Sequence, residues 1–411
     1  MTGFLETMKE RGMMAQVTHE EELGAHLAQK PRTAYVGFDP TGDSLHVGHL
    51  LPVMGLRKWQ QAGHRVVCLM GGGTAMIGDP TGKSEMRQML SKEVIAKRAL
   101  KFKDQLSKLL DFSSEDKGIM VNNGDWLHDL MYIPFLREFG SQFSVNRMLS
   151  AECFKSRLEK GLSFLEFNYM ILQSFDFLHL HKNYDCTVQM GGDDQWSNML
   201  GGMDLIRRKE KKPAYCFTLP LLVNSQGKKM GKTEKGAIWL DGDMTSPYDL
   251  FQYFRNIDDD MVYKCLCYFT DLKVSEIKEL TKEGGKTIND AKTTLAFEIT
   301  KLLHSEKDAM EAKSMAEKLF SGDQMGADAP LVVVDGSEIG EKVGLLELLH
   351  KVKIAPSRAE ARRWVSQGGL SIDGKKVDDI KYEVARFSLT SENGLLLKRG
   401  KKHYYRLRIQ D

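Results

Sequence analysis

Between residues 32 and 223, short apolar and β-branched runs (TAYVGF, RVVCLM, GIMVNN and CTVQMG) alternate with long stretches of helical character. Strands separated by a helix's length of chain pair in parallel, and runs this continuously apolar are covered on both faces. The alternation therefore predicts an α/β fold built on a doubly wound parallel sheet. Roughly sixty mostly helical residues, 126–184, interrupt the rhythm and read as an insertion between two halves of that sheet.

Beyond Pro247 the pattern is helical until about Leu331, and the turn-rich run SGDQMGADAP breaks it. The expected units are an α/β domain (1–224), a mobile loop (225–246), a helical domain (247–325), a linker (326–344) and a small α+β unit (345–411) that closes on the strand HYYRLRI. That last unit holds fifteen Lys and Arg against eight Asp and Glu, whereas the whole chain is only +2. A basic unit on a mildly acidic body is the footprint of a nucleic-acid-binding appendage. The six cysteines lack zinc or C-x-x-C spacing and read as buried free thiols. No apolar run approaches the ~18–20 residues of a membrane span. The N-terminus, MTGFLETMKERGMMAQ, resembles neither a secretory signal nor a transit peptide. The expectation is a soluble cytoplasmic chain with no membrane partner.

The segment YVGFDPTGDSLHVGHLLPVMGLRKWQQAG (35–63) reads as strand, tight loop and helix. Such a turn aims the positive end of a helix at the strand's carboxyl edge, a ready site for polyphosphate. Spacing i, i+3 places His46 and His49 on one side of the first turn. Two other nucleotide motifs fail: a P-loop ending in Gly82-Lys83-Ser84 would need glycine at Ile77, and a dinucleotide fingerprint from Gly71 would need glycine at Met76. In SQGKKMGKTEKGAIWL (225–240), Lys228, Lys229 and Lys232 crowd a glycine-rich loop, which suits a lid closing on triphosphate. Tyr169, Gln173 and Asp176, at i, i+4 and i+7, form one polar stripe on an apolar helix, either solvated or lining a pocket. QMGGDDQWSN (189–198) sets glycines and carboxylates at a strand end, suited to ribose hydroxyls or to a helix cap.

His46-Val47-Gly48-His49 and, about 180 residues on, Lys229-Met230-Gly231-Lys232-Thr233 resemble the two signatures of class I aminoacyl-tRNA synthetases, in the form shown by bacterial tyrosyl-tRNA synthetases. The resemblance spans the whole chain. It implies a Rossmann-like catalytic domain, an anticodon-binding helical domain and a ribosomal-protein-type RNA-binding domain. It also implies activation of L-tyrosine by ATP to tyrosyl-adenylate and transfer to the 3′-terminal ribose of tRNA(Tyr), by a cytoplasmic homodimer joined through the insertion. By the same resemblance Tyr35 and Asp176 bind the phenol, and Asp79, Tyr169 and Gln173 the α-ammonium. Gly37, Asp39, Thr74, Asn123 and Gln195 complete the tyrosine site, while Gly48, Gly192, Asp194 and Met230 contact ATP. Thr41, His46, His49, Lys83, Arg87, Lys229, Lys232 and Thr233 act on its phosphates. Arg358, Arg362, Arg363, Lys375, Lys401 and Lys402 grip the tRNA. Magnesium is expected with ATP as substrate, with no metal ligand set, no zinc and no permanently bound cofactor.

Three positions depart from the family's commonest form: Asp193 where serine is frequent, Gly124 in place of an aromatic residue, and GGGTAM in the glycine loop. The rival readings are a tryptophanyl-tRNA synthetase and a non-catalytic RNA-binding or splicing factor of the same fold. The phenol pair Tyr35 and Asp176 disfavours the first, and the intact His46, His49, Lys229 and Lys232 the second.

Overall fold

The four apolar runs are strands of one sheet: β1 (Thr33–Phe38), β2 (Arg65–Met70), β3 (Gly118–Asn122) and β4 (Cys186–Gly192). A fifth strand not read from the sequence, β5 (Tyr215–Leu219), completes an all-parallel order β3-β2-β1-β4-β5. The structure is a computed structural model and describes residues 3–81, 90–159, 161–233, 236–282, 285–321, 329–391, 394–400 and 403–409. It divides into two compact units, Met1–Ala309 and Met310–Asp411.

In the first unit the helix Val47–Gln61 carries the chain from β1 to β2, and Lys92–Leu109 carries it from β2 to β3. Trp196–Glu210 joins β4 to β5. The chain winds outward from β1 and then returns to β1's other side, so the strand order reverses between β1 and β4. At such a switch point the carboxyl ends of the strands diverge and leave a crevice. Residues 15–18 cover the β5 edge, with Ala15 N–H donating to Thr218 O at 2.9 Å and Thr18 N–H to Cys216 O at 3.0 Å.

The insertion is shorter than the sequence suggests. Its short helices run from Gly124–Leu127 to Phe164–Phe167 over a small core in which Phe135, Met148 and Phe154 are buried with Met170 and Ile171. The helix Tyr169–Tyr184 bridges this core and the wound layer, because Phe177, Leu178 and Leu180 pack with Tyr35, Val67 and Leu69 in the sheet's core. Its apolar residues are read correctly as helical, but periodicity does not say which core they join.

The stretch after Pro247 folds as helices Pro247–Arg255, Asp259–Phe269, Val274–Leu280, Lys286–Leu303 and Glu306–Ser321. The first starts as its sequence dictates, with Pro247 at the first turn and Ser246 Oγ accepting from Asp249 N–H at 3.1 Å. Arg11 ties the second to the chain's beginning, donating to the carbonyls of Cys267 at 2.8 Å, Thr270 at 3.0 Å and Leu272 at 2.6 Å. All six cysteines are buried and free.

In the second unit a five-stranded sheet runs in the order Lys375–Lys376, Leu370–Ile372, Leu395–Arg399, His403–Ile409 and Leu331–Val334, the last pair parallel. A second pair joins Lys342–Gly344 to Glu383–Ala385. Residues 331–344 are thus not the linker expected over 326–344: the β-branched run LVVV finds a partner strand, and Val334, Ile339 and Val343 enter the same core as Leu348, Leu397 and Leu407. Of that linker, 326–328 lie outside the described residues.

Candidate active site

A cavity of about 320 Å³ opens at the carboxyl ends of β1 and β4. Its deep wall comes from the sheet itself. Tyr35 on β1 stands in register beside Gln189 on β4, and both are buried. The Tyr35 hydroxyl, Gln189 Oε1 and Gln173 Oε1 are buried without a hydrogen-bond partner among the described residues. Buried polar atoms are almost always paired, so three orphans around one cavity point to a polar ligand.

Facing Tyr35, the stripe Tyr169, Gln173 and Asp176 lines the cavity. It does not face solvent: Asp176 is only 2 % exposed. Its carboxylate accepts from Asn123 Nδ2 and from Trp126 Nε1, each at 2.8 Å. Burial pushes the Asp176 carboxyl up to about 7; the two hydrogen bonds oppose that rise and the charge of Asp39 adds to it. Burial and the neighbouring Asp176 charge likewise raise the Tyr35 phenol. This pair forms an apolar-walled niche with one fixed acceptor and one rotatable hydroxyl.

A hydrogen-bond chain leads outward. Asn123 Nδ2 donates to Thr74 Oγ1 at 2.9 Å, Thr74 donates to Asp39 Oδ1 at 2.7 Å, and Tyr169 donates to Asp39 Oδ2 at 2.9 Å. Gly71 makes room for it, since a Cβ there would lie 1.9 Å from Asp39 Oδ1 and 2.6 Å from Thr74 Oγ1. Asp79 accepts from Gln195 Nε2 at 2.8 Å and from Thr81 N–H at 3.0 Å. Gln195 is held in turn by Asn198 Nδ2 at 3.2 Å.

The outer part of the cavity is lined by Gly37, Thr41, His46, Gly48, His49, Gly192, Asp194, Lys229 and Met230. The two histidines stack with ring centroids 4.0 Å apart. His46 caps the helix Val47–Gln61, its Nδ1 accepting from Gly48 N–H at 3.0 Å, and His49 Nδ1 accepts from His46 N–H at 3.1 Å. The lysine-rich loop lies against this helix start, where Val47 N–H donates to Ile238 O at 3.0 Å, and against the helix Pro247–Arg255, where Gly231 N–H donates to the Tyr253 hydroxyl at 2.8 Å. Lys229 Nζ reaches Asp194 at 2.9 Å. Lys232–Thr233 pairs antiparallel with Gly236–Ala237. Lys83, Arg87, Lys401 and Lys402 lie outside the described residues. Among the described residues no group of three or more His, Cys, Asp or Glu side chains could hold a metal ion.

Two of the three departures from the family's usual pattern have local explanations. Asp193 turns away from the cavity and accepts from Gln16 Nε2 and Thr218 Oγ1, both at 2.7 Å, fastening the 15–18 segment to β5. Gly124 leaves room for the His128 ring, 2.9 Å from where its Cβ would stand. Sequence reasoning missed Trp126 and Gln189 as site residues. Trp126 marks the start of the insertion in the sequence, and only its proximity to Asp176 in space reveals it. Gln189 had a signal: a lone amide inside the apolar strand CTVQMG.

In the second unit Arg358, Arg362 and Arg363 lie on the helix Arg358–Ser366 and are exposed, as is Lys375. Arg358 faces Glu347 at 3.5 Å, and Arg363 pairs with Glu360. The Arg399 guanidinium lies 4.5 Å from the centre of the Trp364 ring.

The sequence profile described as tRNA synthetases class I (W and Y) matches residues 27–321, and that of the tyrosine–tRNA ligase SYY-like C-terminal domain matches 323–407. The chain is 53 % identical to tyrosine–tRNA ligases of Clostridium botulinum (strain Loch Maree / Type A3) and Clostridium kluyveri (strain NBRC 12016), over all 411 residues of both partners in each comparison. It is also similar to the crystal structure of a C-terminally truncated Aspergillus nidulans mitochondrial tyrosyl-tRNA synthetase, with 30 % identity and a TM-score of 0.69 over 78 % of this chain and 95 % of that one. With the switch-point cavity, the stacked histidines and the buried Tyr35–Asp176 niche in place, these likenesses show that the chain belongs to the tyrosyl-tRNA synthetases of class I.

Proposed function

We propose that this chain activates L-tyrosine with ATP and transfers it to tRNA(Tyr), with the residues of the cavity in the following roles. The phenol enters between Tyr35 and Asp176, where it donates to the carboxylate and meets the Tyr35 hydroxyl. Phenylalanine would leave the Tyr35 hydroxyl unpaired and deny the buried Asp176 carboxylate a donor beyond Asn123 and Trp126, and that penalty is the source of discrimination. The α-ammonium lies near Asp79, Tyr169 and Gln173, and the carboxylate faces Gln195. Asp194 and Gly192 take the ribose of ATP, while His46, His49 and Lys229 surround its phosphates together with Lys83, Arg87 and Lys232. The tyrosine carboxylate attacks the α-phosphorus and pyrophosphate leaves. A terminal ribose hydroxyl of the tRNA then takes the tyrosyl group from the adenylate. Positioning and stabilisation of charge on the leaving pyrophosphate supply the acceleration, and no covalent enzyme intermediate is needed. Magnesium enters with ATP as part of that substrate.

The observation that carries this reading is the orphaned Tyr35 hydroxyl beside a carboxylate already fixed by two donors. The basic second unit supports tRNA binding. Exposed Met131, Tyr132, Ile133 and Phe164 on the insertion support a homodimer in which a second copy covers them. A solution mass near one chain would refute that assembly.

The test of activity is ATP–pyrophosphate exchange with each of the twenty amino acids and no tRNA. Exchange with tyrosine alone is expected. Exchange driven by tryptophan would reassign the pocket, and none at all would leave only the RNA-binding role.

A further inference from the structure

The Asp176 carboxylate is fixed by donors from one turn of chain, Asn123 on Oδ2 and Trp126 on Oδ1. Asn123 is itself anchored, because its Oδ1 accepts from Gly73 N–H at 2.8 Å. Trp126 has no such second polar tie, its indole N–H being spent on Asp176. What restrains the indole is its face. The His179 ring stacks on it with centroids 4.1 Å apart and planes 11° from parallel. Asp176 and His179 are three residues apart on the helix Tyr169–Tyr184, so one helical face grips the indole twice, by its N–H and by its π-surface. The His179 imidazole makes no hydrogen bond among the described residues. Its remaining ring neighbours, Phe175 and Tyr184, are both farther away, at 6.4 Å. Neither Trp126 nor His179 lines the cavity, so each acts on a bound ligand only through Asp176.

We propose that His179 is a positioning residue for phenol recognition: by stacking on Trp126 it holds the indole N–H on Asp176 and so fixes the carboxylate that receives the substrate's hydroxyl. The inference rests on the assignment of Asp176 to the phenol. Losing a stacked aromatic partner corresponds to ~2–10-fold in an equilibrium constant.

The experiment is tyrosine- and phenylalanine-dependent ATP–pyrophosphate exchange by the full-length His179→Ala, His179→Phe, His179→Leu and Asp176→Ala variants. His179→Ala is expected to raise the KM for tyrosine about 2–10-fold and to lower the tyrosine-to-phenylalanine preference by a similar factor, with the KM for ATP and the kcat nearly unchanged. His179→Phe restores both values because it keeps a flat ring, whereas His179→Leu, which fills space without stacking, does not. An unchanged preference in His179→Ala, or full restoration by His179→Leu, overturns the proposal. If Asp176→Ala leaves the KM for tyrosine unchanged, the phenol assignment falls and the proposal with it. If Asp176→Ala weakens tyrosine while His179→Ala does not, only the role of His179 is lost.

Discussion

Asp176 shows how one buried carboxyl couples recognition to stability. Its pKa is pushed up to about 7, whereas an unfolded aspartate titrates near ~3.9. Between those values the folded protein holds a proton that the unfolded chain has lost, so this group's contribution to stability falls as pH rises through the window and levels off above it. Without tyrosine present, the urea midpoint of the wild type relative to Asp176→Asn is therefore expected to be more favourable at pH 5 than at pH 8. The same difference at both values would mean that Asp176 does not titrate there. The residues of this niche were unequally legible. Asp176 announces itself through its spacing from Tyr169 and Gln173. Tyr35, an aromatic residue in a strand, could as well have been core, and only its unpaired hydroxyl separates the two roles. Trp126 was illegible, because a hydrogen bond across fifty residues of chain leaves no local pattern.

At the scale of elements, the sheet was legible wherever a strand is flanked by helices, since continuous apolar runs and crossover lengths leave little choice of topology. β5 escaped because no helix directly follows YCFTL to mark a crossover, and Leu331–Val334 because a glycine- and proline-bearing stretch precedes it. Contacts between elements were not legible at all. Lys58, on the helix that presents His49, has only 5 % of its side chain exposed and pairs with Asp271, just past the helix Asp259–Phe269; Arg57 joins at 3.1 Å. Burial lowers the Lys58 pKa against the help of Asp271. For Asp271 burial also disfavours the charge, but the hydrogen bonds from Lys58 and Gln61 outweigh it and hold the carboxyl below its usual range. Replacing Asp271 with alanine leaves the buried Lys58 ammonium bonded to Gln61 but without its counter-ion, and is expected to cost ~2–4 kcal/mol in urea unfolding. Lys58→Met in the same chain is expected to recover part of that loss. A double variant no more stable than Asp271→Ala would show that the pair is not what holds these helices together.

For the molecule as a whole, the division of labour follows from charge and from separate cores. Each unit has its own buried cluster, one around Tyr35, Phe177 and Met199 and the other around Leu348, Leu397 and Leu407. All the described residues assigned to tyrosine and ATP belong to the first unit. The net positive charge is concentrated in the second, on a surface that includes Arg358, Arg362, Arg363 and Lys375. A surface that neutralises backbone phosphates releases counterions, so its affinity falls as a power of salt concentration. A chain ending at Ser321 is expected to keep tyrosine-dependent pyrophosphate exchange within about twofold, because no described residue of the cavity is lost. Its kcat/KM for tRNA is expected to drop by at least ~10-fold at low salt, and its dependence on log salt concentration to flatten, since several phosphate contacts vanish together. Measuring aminoacylation by both chains at several salt concentrations separates two causes. A truncated chain with a lower rate but an unchanged salt slope would place the phosphate contacts on the first unit and leave the basic second unit without the role its charge implies.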